Sequence, residues 1–307
     1  MRHSGDGERT RLLRATLLVV ASAACFSTIA IFVSLSLRAG APLLTVLSGR
    51  FAFGVLALAP IAGVAALGHT PPTLRRALMM RAGVLQAALV FFSGASLRWL
   101  TAATLVFLFY TYPAWVTLIV AVRQRERITP RQALALVLSL VGVTIMVGAP
   151  GPSAFHLIGA AFALASAFIF AVYLVYTDRL QGSIAPTVTA FWIALGAGIV
   201  FLVAAALTSE LTLDMPGSVW LYMAALGIVS TALGYGLFFK GLQLLGPVRT
   251  AIVSTVEPIW AALLGWLVLS QPVTLATGLG GLCIGVAVVM LQWPAPKVEG
   301  PLQPAAT

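Results

Sequence analysis

Apolar residues fill most of this chain in long runs, separated by short segments that contain charged residues, Gly and Pro. A membrane-crossing α-helix needs about 20 apolar residues, whereas a membrane barrel strand needs about 10 residues of alternating polarity. The runs here are long and unbroken, so they predict helices. We interpret them as ten spans, numbered from the N-terminus, at about 15–37, 43–67, 78–97, 101–121, 131–148, 157–176, 187–207, 220–239, 248–268 and 273–292.

Composition agrees with this pattern. The chain is 60% hydrophobic and 8% charged, with a mean hydropathy of +1.03, whereas soluble proteins are about 25% charged. No soluble fold could bury so much apolar surface, so the sequence predicts an all-α polytopic protein whose partner is the lipid bilayer. Residues 293–307 are rich in Pro, and we expect a disordered cytoplasmic tail there.

The basic residues are distributed unequally between the two sides of the predicted spans. With the N-terminus in the cytoplasm, 15 of the 18 Lys and Arg residues face the cytoplasm, while Arg38 and Arg98 face outward and Arg50 lies within a span. We expect the chain in the cytoplasmic (inner) membrane of a bacterium, with both termini inside. The unequal distribution is the positive-inside pattern of multi-pass membrane proteins. It accounts for the net charge of +10 without a nucleic-acid partner.

This topology can be tested with a cysteine at Arg127, in the basic loop after the fourth span. In a background without Cys25 and Cys283, which are the two natural cysteines, an impermeant thiol reagent should label Arg127→Cys from the cytoplasmic side. Labelling from the outside would contradict the predicted orientation.

The chain also repeats itself. At a constant offset of 145 positions, Pro113 and Trp115 align with Pro258 and Trp260. We predict two five-helix repeats, residues 12–148 and 155–292, followed by the tail. Because five is odd, the second repeat enters the membrane from the opposite side. Inverted-topology repeats around a central cavity are typical of secondary transporters, which bind substrate near the midplane.

Pro113 and Pro258 lie well inside the fourth and ninth spans. A proline removes one backbone donor and clashes with the preceding turn, so each predicts a bend. The bends could be packing kinks, but their matched positions favour a role as hinges.

Glu257 is the acidic residue that falls inside a predicted span. A charge at the bilayer centre is costly, by about 3 kcal/mol on insertion scales, and such residues are usually functional. Three interpretations remain open: Glu257 carries a coupling proton, binds a substrate ammonium group, or is a hydrogen-bonded structural acid beside Pro258. Its counterpart in the first repeat is the neutral Tyr112, so the two halves are not equivalent.

Arg50 lies about seven residues, or roughly 10 Å, from the outer end of the second span. Its head group could reach back to the outer interface, or it could bind a substrate carboxylate. Together, Arg50 and Glu257 could hold a zwitterion or could pair with each other.

Several aromatic side chains lie away from the span ends and could either pack in the core or line a pocket for aromatic or cationic molecules. They are Tyr110, Tyr112, Trp115, Tyr173, Trp192, Tyr235 and Trp260. The cysteines and histidines have no metal-ligand spacing, so we expect no metal and no cofactor. Gly281 and Gly285 form a small-residue face that suits close helix packing, in a monomer or a homodimer.

The stretch TVEPIWAALLGWLVLSQPVT (Thr255–Thr274) resembles the Glu-Pro motif of the EamA-type transporters of the drug/metabolite transporter superfamily. TYPAWVTLIVAVRQRERIT (Thr111–Thr129) resembles its first-half copy, and GRFAFGVL (Gly49–Leu56) resembles the Arg-aromatic pattern of the second span. The resemblance covers residues 12–292. It implies ten helices around a central cavity and export of small metabolites, including amino acids, with the Glu-Pro pair at Glu257–Pro258 and the second-span Arg at Arg50.

The sequence therefore predicts a secondary transporter that exports small organic metabolites, aromatic or neutral amino acids in particular, by alternating access. The alternatives are efflux of lipophilic or cationic drugs, and a passive channel or lipid flippase. A membrane enzyme is disfavoured because the sequence has no clustered acids, Ser–His pair or metal-binding motif.

Overall fold

The computed structural model describes residues 3–96, 98–100, 102–124, 128–147, 156–182, 184–269 and 274–291. Throughout these residues the regular structure is helical, which confirms the predicted fold class. The predicted tail at 293–307 lies outside them. The helices are α1 (His3–Arg38), α2 (Leu43–Ala62), α3 (Val64–Gly68), α4 (Pro72–Arg76), α5 (Gly83–Ser96), α6 (Ala102–Phe109), α7 (Tyr112–Gln124), α8 (Pro130–Val147), α9 (Leu157–Gln181), α10 (Pro186–Leu207), α11 (Gly217–Ala225), α12 (Gly234–Val253), α13 (Glu257–Leu269) and α14 (Leu275–Leu291).

Seven helical stretches in the described residues are long and apolar enough to cross a membrane. One of them, Gly217–Val268, has 52 residues, about twice the length that a single crossing needs. It contains the eighth and ninth spans. Two shorter apolar helices, Pro130–Ile145 and Leu275–Leu291, correspond to the fifth and tenth spans, so the helices match the ten predicted segments.

The eighth and ninth spans are separated at Gly246, where the backbone leaves the helical region with φ 75° and ψ 170°. A positive φ is readily available to Gly, and Pro247 then removes a backbone donor, so a sharp turn forms here. Val19 of α1 contacts Gly241 on one side of the turn and clusters with Ile252 on the other. The chain therefore folds back at Gly246 as a hairpin.

The third and eighth spans each contain a wider, π-helical stretch. Ala77–Ala82 joins α4 to α5, and Leu226–Leu233 joins α11 to α12. Each is the third span of its repeat. π-helical turns interrupt the regular backbone pattern and are frequent at functional sites.

The two repeats are interleaved rather than placed side by side. The first span, α1, packs against α12 and α13 of the second repeat, and the sixth span, α9, packs against α5 and α7 of the first. Hydroxyl pairs cross both contacts: Thr28 and Ser230 are 3.1 Å apart, and Ser93 and Ser166 are 2.6 Å apart. The packing therefore defines two groups of helices, each with spans from both repeats. One group includes α1, α12 and α13, and the other includes α5, α7 and α9.

The second and seventh spans make close glycine crossings with the π-helical stretches of the opposite repeat. A Cβ on Gly227 would meet Phe53 and the Gly54 backbone nitrogen, and a Cβ on Gly196 would meet the Met79 backbone. A Cβ on Gly83 would likewise meet the Gly196 Cα, and Gly83 corresponds to Gly227 at an offset of 144. A close crossing between a second-position span and a π-helical stretch is thus formed twice, once from each repeat.

Candidate functional site

The fourth and ninth spans are both interrupted near the membrane centre, at equivalent positions. Tyr110 and Thr111 separate α6 from α7, and a short 3₁₀ turn, Ser254–Val256, separates α12 from α13. The next helices begin at Tyr112 and Glu257, which are 145 positions apart. We call these the two broken spans because the regular α-helical pattern is broken there. The backbone angles at Val253, Ser254 and Glu257 stay helical, and each span continues as one helical stretch.

Pro113 and Pro258 are the second residues of α7 and α13. Each proline lies just after an irregularity inside a helical stretch that continues through it. A proline there removes one backbone donor, which is consistent with the predicted bends. Their action as hinges stays a prediction.

Glu257 lies in a group of side chains from both broken spans. Glu257 is the first residue of α13 and directly follows the 3₁₀ turn. Tyr110 lies within hydrogen-bonding reach of this carboxylate, and Tyr112 is close enough to interact with it electrostatically. The Tyr112 hydroxyl also donates to the Ala251 carbonyl at 3.2 Å, which joins the two broken spans directly.

A series of aromatic rings continues from this group across the bundle. Tyr112 meets Phe170 edge-on with ring centroids 4.7 Å apart, and Phe170 stacks on Tyr173 at 6.0 Å. Tyr173 in turn lies within electrostatic range of Tyr235. We call this set the aromatic series, and it consists of Tyr110, Tyr112, Phe170, Tyr173 and Tyr235.

Arg50 lies at the far end of the aromatic series. Its Nε donates to the Thr231 hydroxyl at 3.1 Å, and its guanidinium lies over the Phe51 ring at 5.1 Å. The side chain is 4% exposed and lies within electrostatic range of Tyr235. The head group therefore points into the helical bundle. It does not reach back to the outer interface, which was one of the two interpretations of the sequence.

Arg50 and Glu257 have separate polar partners. Glu257 faces Tyr110, whereas Arg50 faces Thr231 and Tyr235. The predicted alternative in which the two charges pair with each other is therefore not the arrangement found. The acid and the base stand at opposite ends of the aromatic series, and binding of substrate by either residue stays a prediction.

The three candidate tryptophans differ in location. Trp115 packs against Phe168 at 5.6 Å, and Phe168 is 45% exposed, so this contact lies towards the outer surface. Trp192 donates to Thr70 at 3.2 Å in the loop after α3, away from Glu257. Trp260 lies on α13 one turn after Glu257 and is half-buried. The structure brings the four tyrosines together in the aromatic series, and their role in lining a pocket with Trp260 stays a prediction.

Two residues of the site, Phe170 and Thr231, were not singled out from the sequence. Phe170 lies three positions before Tyr173, a spacing that places both side chains on one helix face. Thr231 lies among apolar residues, and its partner is 181 positions away. Helical periodicity could have indicated Phe170, whereas Thr231 depends on how the repeats pack.

Comparison with known proteins agrees with this architecture. The profile of the EamA-like transporter family matches residues 13–148 and 157–293. This chain belongs to the EamA-like transporter family. The match covers both repeats, so membership extends over nearly the whole chain.

Individual relatives are also named as transporters. An uncharacterized transporter of Archaeoglobus fulgidus is 28% identical over 276 residues, which are 90% of this chain and 94% of that protein. The uncharacterized inner membrane transporter YicL of Salmonella typhimurium is 29% identical over 62% of this chain and 64% of its own length. A solved crystal structure superposes with a TM-score of 0.76 at 20% identity, covering 90% of this chain and 96% of that one. The last comparison shows the fold alone.

Proposed function

We propose that this EamA-family member exports small organic metabolites, most readily aromatic or neutral amino acids, by alternating access across the cytoplasmic membrane. In this proposal the Glu257 carboxylate binds the substrate's ammonium group, and the aromatic series contacts its apolar part. The observation that carries the proposal is the position of Glu257, at a helix start in a broken span and beside Tyr110.

The chemistry of the site supports an amphiphilic cation or zwitterion as substrate. A carboxylate attracts an ammonium group strongly where water is scarce, and tyrosine rings attract cations through their faces. The 3₁₀ turn before Glu257 and the proline after it make the backbone irregular at this point, and irregular backbone in a span is often found where a transporter binds substrate. The same chemistry would also suit organic cations, which makes drug efflux the second candidate.

Counterflow in proteoliposomes tests the proposal. The vesicles are loaded with an unlabelled mixture of amino acids, and uptake of labelled Phe, labelled Thr and a quaternary ammonium dye is measured separately. We expect accelerated uptake of Phe or Thr, because exchange through one alternating site is faster than net flux. Protein-free liposomes and liposomes with heat-denatured protein provide the controls.

The other outcomes discriminate between the alternatives. Acceleration of the dye alone would replace amino-acid export by drug efflux. Uptake that does not saturate and is not accelerated by internal solute would contradict a carrier and indicate a channel. Scrambling of a fluorescent phospholipid between leaflets, without solute exchange, would indicate a flippase.

A further inference from the structure

One face of α9 extends beyond the aromatic series with two polar groups that the site described above does not use. Thr177 and Gln181 follow Tyr173 of that series at intervals of four residues, so the three side chains lie above one another on the helix. Both ends of this face meet α12: Tyr173 lies within electrostatic range of Tyr235, and the Gln181 side-chain nitrogen donates to the Phe239 carbonyl at 3.2 Å. We call Tyr173, Thr177 and Gln181 the α9 polar face.

The α9 polar face is completely buried, yet it is poorly satisfied. Thr177 is 0% and Gln181 is 1% exposed. Within the described residues, the Thr177 hydroxyl, the Gln181 side-chain oxygen and the Tyr235 hydroxyl have no hydrogen-bond partner. Buried polar groups of this kind are normally paired with protein or water.

Thr177 differs in this respect from several helical hydroxyls of the chain, although Thr189 and Thr250 also lack a partner within the described residues. Ser48 and Thr117, for example, donate to the carbonyl four residues earlier, at 2.7 Å in both cases, which is the usual way to satisfy a hydroxyl in an apolar helix. Thr177 lies in the middle of α9, but makes no such bond to its own helix. Its hydroxyl is available on the face that packs against α12.

Two glutamines close the end of this contact. In addition to the Gln181 bond, the Gln243 side-chain nitrogen donates to the Gly182 carbonyl at 2.8 Å and to the Ile184 carbonyl at 3.3 Å. These bonds tie α12 to the end of α9 and the following loop. Since α12 packs with α1, and α9 packs with α5 and α7, they connect the two interleaved helix groups.

The α9 polar face extends far enough into the bundle to lead to Glu257. Tyr235 and Glu257 are each 11 residues from the turn at Gly246, or roughly 16 Å at 1.5 Å per residue. That is about half of a 30 Å hydrocarbon core. The α9 polar face therefore runs from the Gln243 end of the bundle to the level of Glu257.

We propose that the α9 polar face and α12 form the half of the transport pathway that leads from Glu257 to the Gln243 end, and that Gln181 and Gln243 hold it closed in this conformation. The inference rests on the transport function proposed above and adds the route and its gate. Groups that lack partners here are hydrated when the two helix groups separate. By the charge pattern, the Gln243 end faces the cytoplasm.

Cysteine accessibility tests the proposal without any substrate. Thr177→Cys is introduced into a Cys25→Ala, Cys283→Ala background, and its reaction with an impermeant maleimide is timed from each side of reconstituted vesicles. Arg179→Cys, at an exposed position on the same helix, gives the rate for an open site. We expect Thr177→Cys to react slowly, and from the side that carries Gln243.

Removing the closing hydrogen bonds should accelerate this reaction. With Gln181→Leu we expect labelling about fivefold faster, as one lost hydrogen bond implies. Adding Gln243→Leu removes two more hydrogen bonds and should accelerate the reaction further. Gln132→Leu is the matched control, because Gln132 hydrogen-bonds with Thr129 at the start of α8 and takes no part in the hydrogen bonds between α9 and α12. It should leave the rate unchanged.

Two results would overturn the proposal. If Thr177→Cys reacts as fast as Arg179→Cys with both glutamines intact, the face is already open. If it stays unreactive in the double Leu variant, the face is permanently packed core. Hydrogen–deuterium exchange over residues 235–245 gives the same comparison without an introduced cysteine, should Thr177→Cys fail to fold. Because labelling needs no substrate, a failure of counterflow contradicts the transport function separately.

Discussion

Replacing Glu257 by Gln is expected to reduce amino-acid counterflow by about thirtyfold. The substitution keeps the shape of the side chain and removes its charge, so the substrate ammonium loses a charge-assisted hydrogen bond worth about 2 kcal/mol. Folding should be unaffected or slightly improved, because a charge inside a membrane span is costly in itself. Counterflow at saturating and limiting substrate, together with thermal unfolding in detergent, measures both effects.

Glu210→Gln is the matched control for this prediction. Glu210 follows the end of α10, and one of its carboxylate oxygens accepts from the Leu44 backbone N–H at 3.3 Å. It lies outside the aromatic series, and we expect normal counterflow from this variant. If Glu257→Gln loses pH-driven transport but keeps exchange, the residue carries a proton and does not bind ammonium. Normal behaviour in both assays would remove Glu257 from the mechanism.

Replacing Gly227 or Gly196 by Ala is expected to destabilise the protein strongly. A Cβ on Gly227 would lie 2.6 Å from the Gly54 nitrogen and 2.8 Å from the Arg50 carbonyl oxygen, and a Cβ on Gly196 would lie 2.8 Å from the Met79 Cα. These are backbone atoms, which cannot move aside as a flexible side chain can. Overpacking of this kind costs about 1–3 kcal/mol.

Replacing Gly278 by Ala should have the opposite effect on stability. Gly278 lies within α14 and is exposed, with no atom within 4 Å of an added Cβ. Because Gly is less favourable than Ala in a helix by roughly 0.5–1 kcal/mol, Gly278→Ala should be neutral or stabilising. Apparent melting temperatures of the three variants in one detergent test the prediction. Equal effects at all three positions would contradict the close crossings.

The sequence predicted the spans better than their ends. The apolar run from 78 to 97 indicated the third span, but the helical chain starts at Pro72 and includes a π-helical stretch. A hydropathy pattern reports where lipid can surround a helix, and it does not respond to a change of helix type. The eighth span likewise continues past the predicted residue 239 to the turn at Gly246.

The two prolines show the same limit of prediction from sequence more clearly. The positions of Pro113 and Pro258 indicated two matched irregularities, and the structure has one just before each proline. The two irregularities differ in kind, because Tyr110 and Thr111 form a turn whereas Ser254–Val256 form a 3₁₀ turn. Residue types alone did not distinguish these two backbone arrangements.

The tyrosines and Glu257 were predicted as candidates because polar groups are conspicuous in apolar segments. Their grouping could not be predicted, because it depends on which helices become neighbours. A repeat offset relates equivalent positions, but it does not say that α1 packs on α12 or that α9 packs on α5. The separation of Arg50 from Glu257 follows from that packing.

The bond between Arg50 and Thr231 has a consequence for how the chain is made. The two residues are 181 positions apart. At about 5–20 residues per second, the ribosome takes roughly 10–40 s to synthesise the intervening chain. During that interval the second span holds a guanidinium whose partner does not yet exist, and a charge inside lipid is unfavourable. Biogenesis therefore requires that this span remain beside the translocon, or in contact with water, until the eighth span emerges to receive it.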